Sequence, residues 1–215
     1  MPKIITVANL KGGCGKSTIA VNLAGELAGK GMAVVVVDAD GQGTATSWAA
    51  AGRLPFRVDS LPLESPRDGA RWIDRVLSLD AACLIVDCPP HVGAATEAAV
   101  GVSDLLLIPV FSSGADLQAT VQALDLVRAA RADRKDHGPD CLMVPSRIDR
   151  RTLVGREIAS VLKQFGEPIG PPVHQRAAFI DALTEGQWIG DYAPESPAHD
   201  DITALALAVK RRLKL

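Results

Sequence analysis

Aromatic residues are scarce in this chain of 215 residues: three tryptophans, four phenylalanines and one tyrosine make up 4% of it. A core built on ring packing is thereby excluded, and aliphatic packing of helices on a sheet is expected. Long hydrophobic runs are missing too. The longest, Met32 to Val37 and Ile202 to Val209, fall far short of the roughly 18 to 20 residues a membrane span needs. Neither charge sign dominates, with 23 basic residues against 25 acidic ones and a net charge of −2, which argues against constitutive tight binding to a polyanion. The four cysteines, at 14, 83, 88 and 141, show no C-x-x-C spacing and are expected as reduced, buried or half-buried thiols. Hydrophobic residues at 47% and charged residues at 22% exclude a disordered chain. The N-terminus enters a strand-like run almost at once, which leaves no room for a signal peptide and makes the cytoplasm the expected compartment.

What is present alternates. Apolar strand-like runs at Lys3–Ala8, Ala33–Asp38, Cys83–Asp87, Leu105–Val110 and Leu142–Pro145 are separated by helical patterns at about 16–30, 70–79, 115–132, 152–165, 175–184 and 199–213. That alternation predicts one α/β domain over residues 1–215, a doubly wound and mostly parallel sheet with helices on both faces. Val34-Val35-Val36-Val37, apolar at every position, fits a strand buried on both sides.

Between the first strand and the first helix stands Lys11-Gly12-Gly13-Cys14-Gly15-Lys16-Ser17-Thr18. Glycines there let the backbone turn tightly and aim successive N–H groups at one point, and the following helix adds the positive end of its dipole. Such a loop suits a polyphosphate, with Lys16 on the β- and γ-phosphates and Ser17 on Mg²⁺. The alternative is a merely structural glycine turn. The usual G-x-x-x-x-G-K-[ST] spacing is not met, because Leu10 stands where its first glycine would be.

Carboxylates lie where an open α/β sheet places its ligands, beyond the carboxyl ends of strands. Asp38 and Asp40 close the second strand as D-A-D-G-Q, and Asp87 ends the third and opens D-C-P-P. Any one of them alone reads as a turn former. Three together beside a phosphate loop point to Mg-ATP chemistry.

The K-G-G-x-G-K-[ST] pattern resembles the deviant Walker A loop of the ParA/MinD family of ATPases, most closely the compact plasmid-partition proteins of the ParF type. The likeness runs from the first strand to about Gly190. It implies that Gly12, Gly13, Cys14, Gly15, Lys16, Ser17 and Thr18 bind the nucleotide, and that Lys11 reaches across an ATP-sandwich homodimer to the other subunit's phosphates. Asp40 would orient and help deprotonate the attacking water, while Ser17, Asp38 and Asp87 would hold Mg²⁺, the two aspartates mainly through water. Gly41 stands where proline is usual. The segment Cys88–Gly93 would be a switch loop, with His91 either a proton carrier or a plain surface residue. Ser112, Ser113, Asp116 and Leu117 match the family's dimer-facing helix start, and Ser146 and Arg147 would flank the adenine. A nitrogenase-like iron–sulfur site is not expected, since Cys83 and Cys88 bracket a single strand.

From the resemblance follow the expected partners: a ParB-like, centromere-binding adaptor and nonspecific DNA, with nucleoid association in the ATP state and no membrane. Arg147, Arg150, Arg151, Arg156, Lys163 and Arg176 form a local excess of positive charge. It reads either as a weak DNA patch doubled on dimerisation or as a solvated basic face. The last helix carries Ile202, Leu205, Ala206, Val209 and Leu213 on one side and ends in a basic run. It is expected to dock on the sheet, although MinD-like relatives use such a tail on membranes. A membrane-cycling ATPase is therefore the rival function, and a binding module that merely keeps the loop is a third.

Overall fold

The four valines of the second strand show how the layers form. In the computed structural model, which describes residues 1–111, 114–149 and 151–215, Val34 and Val36 enter one hydrophobic cluster, and Val35 and Val37 enter the other. Successive side chains of a strand point to opposite faces, so a strand apolar at every position must lie between two helical layers.

Seven strands form the sheet: β1 (Lys3–Val7), β2 (Val34–Asp38), β3 (Arg57–Ser60), β4 (Cys83–Asp87), β5 (Leu105–Val110), β6 (Asp140–Ile148) and β7 (Val173–His174), in the order β3-β2-β4-β1-β5-β6-β7. Every pairing is parallel, so the sheet is wholly rather than mostly parallel. One face is covered by α1 (Lys16–Gly29), α2 (Thr44–Ala49), α7 (Ala177–Thr184), α8 (Ile189–Tyr192) and α9 (Pro197–Leu213). The other is covered by α3 (Gly69–Leu77), α4 (Ala94–Val102), α5 (Gly114–Asp133) and α6 (Leu153–Leu162).

Five of these elements are not apparent from the sequence: β3, β7, α2, α4 and α8. The strand β3 is an edge strand with half-exposed residues, and β7 has two residues, so neither carries a hydrophobic run. The helices α2 and α4 are rich in Ala, Thr, Ser and Gly, which blurs their periodicity. The expected strand over Leu142–Pro145 extends to Asp140–Ile148, and the expected helix over 175–184 gives its first two residues to the turn after β7.

The last helix docks as expected. Ile202, Leu205, Ala206, Val209 and Leu213 are all buried, Ser196 caps its start by accepting from His199 N, and Arg212 pairs with Asp140. No described helix is long and apolar enough to cross a membrane. All four cysteines are buried and none is in a disulfide, and burial pushes the Cys83 and Cys141 thiols up to about 12, which keeps them protonated.

The strand β1 lies between β4 and β5, and the chain leaves it for β2 on one side before returning to β5 on the other. That reversal opens a crevice beyond the carboxyl ends of the central strands.

Candidate nucleotide site

The loop from Ala8 to Gly15 leaves β1 into this crevice and is tied down at its start. Asn9, fully buried, donates from Nδ2 to Pro109 O at 2.6 Å and accepts from Lys11 N at 3.2 Å. Gly13 and Gly15 have φ of +74° and +93°, conformations that L side chains rarely adopt. At Gly15 a Cβ would also sit 2.8 Å from Ser146 Oγ, so this glycine is required by space as well as by dihedral. No side chain caps the first turn of α1, which leaves its N–H groups to the loop's concavity. Lys16, 7% exposed, donates from Nζ to Lys11 O at 3.0 Å, folding back over the loop. Cys14 is buried, and its thiol lies 3.3 Å from the same carbonyl.

The three aspartates do not share one situation. Asp38 and Asp87 are partners in register across β2 and β4, both buried at the strand ends. Asp38 is satisfied: Oδ2 accepts from Thr46 N and Thr46 Oγ1, each at 2.8 Å, and Oδ1 accepts from Asp40 N at 3.2 Å. It caps α2 from a distance. Asp87 is the opposite, 1% exposed with neither carboxylate oxygen hydrogen-bonded. Burial pushes its pKa up to about 7, and the negative charges of Asp38 and Asp40 push the same way. The Ser17 hydroxyl and the Lys16 ammonium pull against them, but Ser17 approaches without closing a hydrogen bond of ordinary geometry. Asp40 is half-buried, lines the crevice and accepts from Gln42 N at 3.0 Å.

A cavity of about 450 Å³ lies beside the loop and Asp40. Gly12, Gly13, Gly15, Lys16, Ser17 and Thr18 line one part of it, with Asp40, Thr44 and Pro90 nearby. Ser146 and Arg147 form a second wall. Ser146 is buried, and Arg147 has φ +54°, places its guanidinium 5.5 Å from the Phe111 ring centre and donates to Gly13 O at 2.6 Å. The third wall is one the sequence does not announce: Val173, His174, Gln175, Arg176, Phe179 and Ile180. It is carried by the two-residue strand β7 and the start of α7, and its only sequence signal is the expected helix over 175–184.

Asp38, Asp87, Lys11 and Cys14 do not line this cavity; Asp87 lies buried behind it, close to Lys16 and Ser17. Lys11 is half-buried, and its side chain makes no ion pair among the described residues. His91 is an exposed loop residue. Ser112 and Ser113 lie outside the described residues, as do the Asp116 side chain and Arg150. Among the other bases, Arg151 pairs with Asp149, and Arg176 with Asp201. Arg156 and Lys163 are exposed and carry no acidic partner among the described residues. Arg151 stands just before α6, whose cap Thr152 accepts from Gly155 N at 3.0 Å.

Among the described residues no cluster of three or more His, Cys, Asp or Glu could hold a metal by itself. The donor set suits Mg²⁺ instead, which keeps several waters and takes one or two protein oxygens together with phosphate oxygens. The two unpartnered oxygens of Asp87 fit that role.

Comparison with known proteins agrees with this geometry. Over residues 5–189 the chain matches the family model described as the CobQ/CobB/MinD/ParA nucleotide binding domain. It is 30% identical to the maintenance of carboxysome distribution protein A of Halothiobacillus neapolitanus, covering 85% of this chain and 84% of that protein. To the protein ParA of Rhizobium radiobacter it is 33% identical, over 82% of this chain and 80% of that one. Among solved structures, an ATP complex of a Cyanothece McdA variant superposes with a TM-score of 0.73 at 18% identity, over 100% of this chain and 97% of that chain. A phosphate loop with lysines at both ends, a buried acid in register beside it and a match over most of the sequence place this chain in the CobQ/CobB/MinD/ParA nucleotide-binding family.

Proposed function

We propose that this protein is an ATPase of the ParA type, which binds ATP with Mg²⁺, forms an ATP-sandwich homodimer and, in that state, holds nonspecific DNA to partition or position a cargo. The observation that carries the reading is Asp87: a buried carboxylate with both oxygens unpartnered, beside Lys16 and the N-terminus of α1. An isolated buried acid is costly, and a cation with phosphate oxygens would offset that cost. Bound there, Mg-ATP supplies the phosphoanhydride to be cleaved and the divalent charge that makes ionised Asp87 favourable.

The chain's own groups supply position and charge. Lys16 exchanges the Lys11 carbonyl for phosphate oxygens, and the loop's N–H groups aim at the same charge. Ser17 and Asp87 hold the metal's shell, while Asp38 supports it indirectly by fixing α2 and the Asp40 backbone. Asp40 lines the cavity and orients the attacking water. Lys11, whose ammonium has no acidic partner among the described residues, is available to the phosphates of a second subunit. Ser146 and Arg147 flank the nucleotide on the other side.

Relatives by sequence carry chromosome-partitioning and carboxysome-distribution names, which supports the positioning role over a bare nucleotide-binding module. The membrane-cycling alternative loses its main sequence argument, because the apolar face of α9 is buried. Arg156 and Lys163 supply a weak positive surface that a dimer would double, making DNA affinity conditional on ATP. A ParB-like adaptor would then stimulate turnover.

The test is binding of Asp40→Ala protein to a random DNA duplex with ATP, with ADP and without nucleotide, beside phosphate release by wild type. ATP-dependent DNA binding with hydrolysis only in wild type is expected. No phosphate release from wild type with ATP and Mg²⁺ in the presence of DNA would overturn the ATPase reading. An ATP dimer that ignores DNA would overturn the DNA role alone.

A further inference from the structure

His174 sits in the third wall of the cavity and is not used by the chemistry above. It ends β7, which lies three strand positions from β1 in the order β1-β5-β6-β7. At ordinary interstrand spacing that is about 14 Å from the strand that delivers the phosphate loop. A nucleotide with its phosphates on Lys16 therefore brings its other end, the base, towards this wall. Phe179 and Ile180 supply apolar surface there, and Arg147 a planar cation.

The ring of His174 is fixed at one nitrogen and unpartnered at the other. Nδ1 lies 2.9 Å and 3.0 Å from the two oxygens of Asp201, which also accepts from His174 N and from Arg176 Nε, each at 3.0 Å. A carboxylate facing an arginine and a backbone N–H is an acceptor, so the proton between Asp201 and the ring belongs to Nδ1. In the neutral ring Nε2 is then a lone-pair acceptor. It is buried and has no hydrogen-bond partner, in a residue that is only 9% exposed. A buried acceptor without a donor is unfavourable until a ligand brings one.

We propose that His174, held as the Nδ1–H tautomer by Asp201, reads the purine base: Nε2 accepts from an exocyclic 6-amino group and excludes a 6-oxo group. Adenine carries a donor at that position where guanine and hypoxanthine carry a carbonyl oxygen. Two acceptors facing each other in a dry wall leave both unpaired, so the discrimination is larger than the loss of one contact. The inference rests on the ATPase reading and assigns its base selectivity to named residues. Asp201 and Arg176 are positioning residues in it.

The experiment is equilibrium binding, read by calorimetry, of ATP, inosine triphosphate and the triphosphate of unsubstituted purine riboside. Wild type should bind ATP about tenfold or more tightly than the unsubstituted purine, and more tightly still than the inosine nucleotide. His174→Phe keeps a flat ring without the acceptor, and its ATP-to-unsubstituted ratio should fall to about one. Asp201→Asn can offer an N–H to Nδ1 and let Nε2 carry the proton, so its preference should move towards inosine triphosphate. A change of preference is a readout that a merely structural role would not give. Equal binding of ATP and the unsubstituted purine by wild type overturns the inference without any variant, and so does an unchanged ratio in folded His174→Phe. If wild type binds no nucleoside triphosphate, the ATPase reading falls and takes this one with it. If ATP binds without preference, only this one falls.

Discussion

Asp87 is the residue whose protonation couples the site to stability. Its folded pKa, about 7, lies above the ordinary carboxylate value of 3.8, and burial is the main cause. The folded state then holds a proton that the unfolded chain releases, so this stabilising contribution is complete below about pH 4 and is lost as pH rises through 7. Without nucleotide, the protein should lose stability across that window, by roughly 2 to 4 kcal/mol from this group. Asp87→Asn should flatten the loss and make the nucleotide-free protein more stable than wild type at pH 8, as urea unfolding at several pH values would reveal. The same substitution should reverse the gain that wild type draws from Mg-ATP. At Lys16 the expectation is simpler, because its ammonium is the loop's own counter-charge. Lys16→Ala should abolish nucleotide binding, and retained micromolar affinity in calorimetry would count against the loop assignment. The phosphate half of this site is legible because its chemistry is written in consecutive residues, Lys11 to Thr18, and in acids that end apolar runs. Two things are not legible. The resemblance gives Asp38 a role at Mg²⁺ mainly through water, but the sequence does not show that its oxygens also accept from Thr46 and the Asp40 backbone, a contact made only after α2 folds back. His174 gives no signal at all, since its meaning depends on Asp201, which is brought to it by the last helix.

At the scale of elements, α1 and α8 meet through glycine. A Cβ at Gly25 would lie 2.3 Å from the Trp188 ring, which the helix must admit side-on. Alanine is the better helix former by about 1 kcal/mol, but overpacking a rigid indole costs about 1–3 kcal/mol, so Gly25→Ala should destabilise the fold. Gly101 in α4 offers the control, because a Cβ there would meet nothing within 4 Å and the backbone is helical. Gly101→Ala should stabilise by about 0.5–1 kcal/mol. Opposite signs for these two variants in urea denaturation are expected, and equal signs would refute the packing account. Elements that bury a continuous apolar face, such as β2, β4, β5 and α9, can be placed from sequence because burial and hydropathy coincide in them. Elements whose stability comes from remote partners cannot. The start of α2 is held by Asp38 rather than by a local cap, and Asn22 on α1 accepts from Ile189 N of α8 at 2.7 Å.

For the whole molecule, the decisive residue is one that the monomer does not use. Lys11 gives its backbone to the loop, accepting from Lys16 and donating to Asn9, while its ammonium makes no ion pair among the described residues. In the proposed complex Lys16 would serve the phosphates of its own subunit, and two cations on one phosphate loop repel each other unless more negative charge arrives. In the proposed dimer a second nucleotide across a two-fold axis would supply that charge symmetrically, each Lys11 meeting the other subunit's phosphates. Dimerisation would then depend on the triphosphate rather than on apolar area. It would also place two Arg156 and Lys163 pairs on one assembly, turning patches too weak for DNA singly into a bivalent contact. With Asp40→Ala blocking turnover, ATP should convert the protein to a dimer in light scattering. Adding Lys11→Ala should leave nucleotide binding within a few-fold but return the mass to that of a monomer, and DNA binding should vanish with it. A Lys11→Ala protein that still dimerises with ATP would remove the lysine from the interface. One that dimerises yet fails on DNA would instead move Lys11 to the DNA surface.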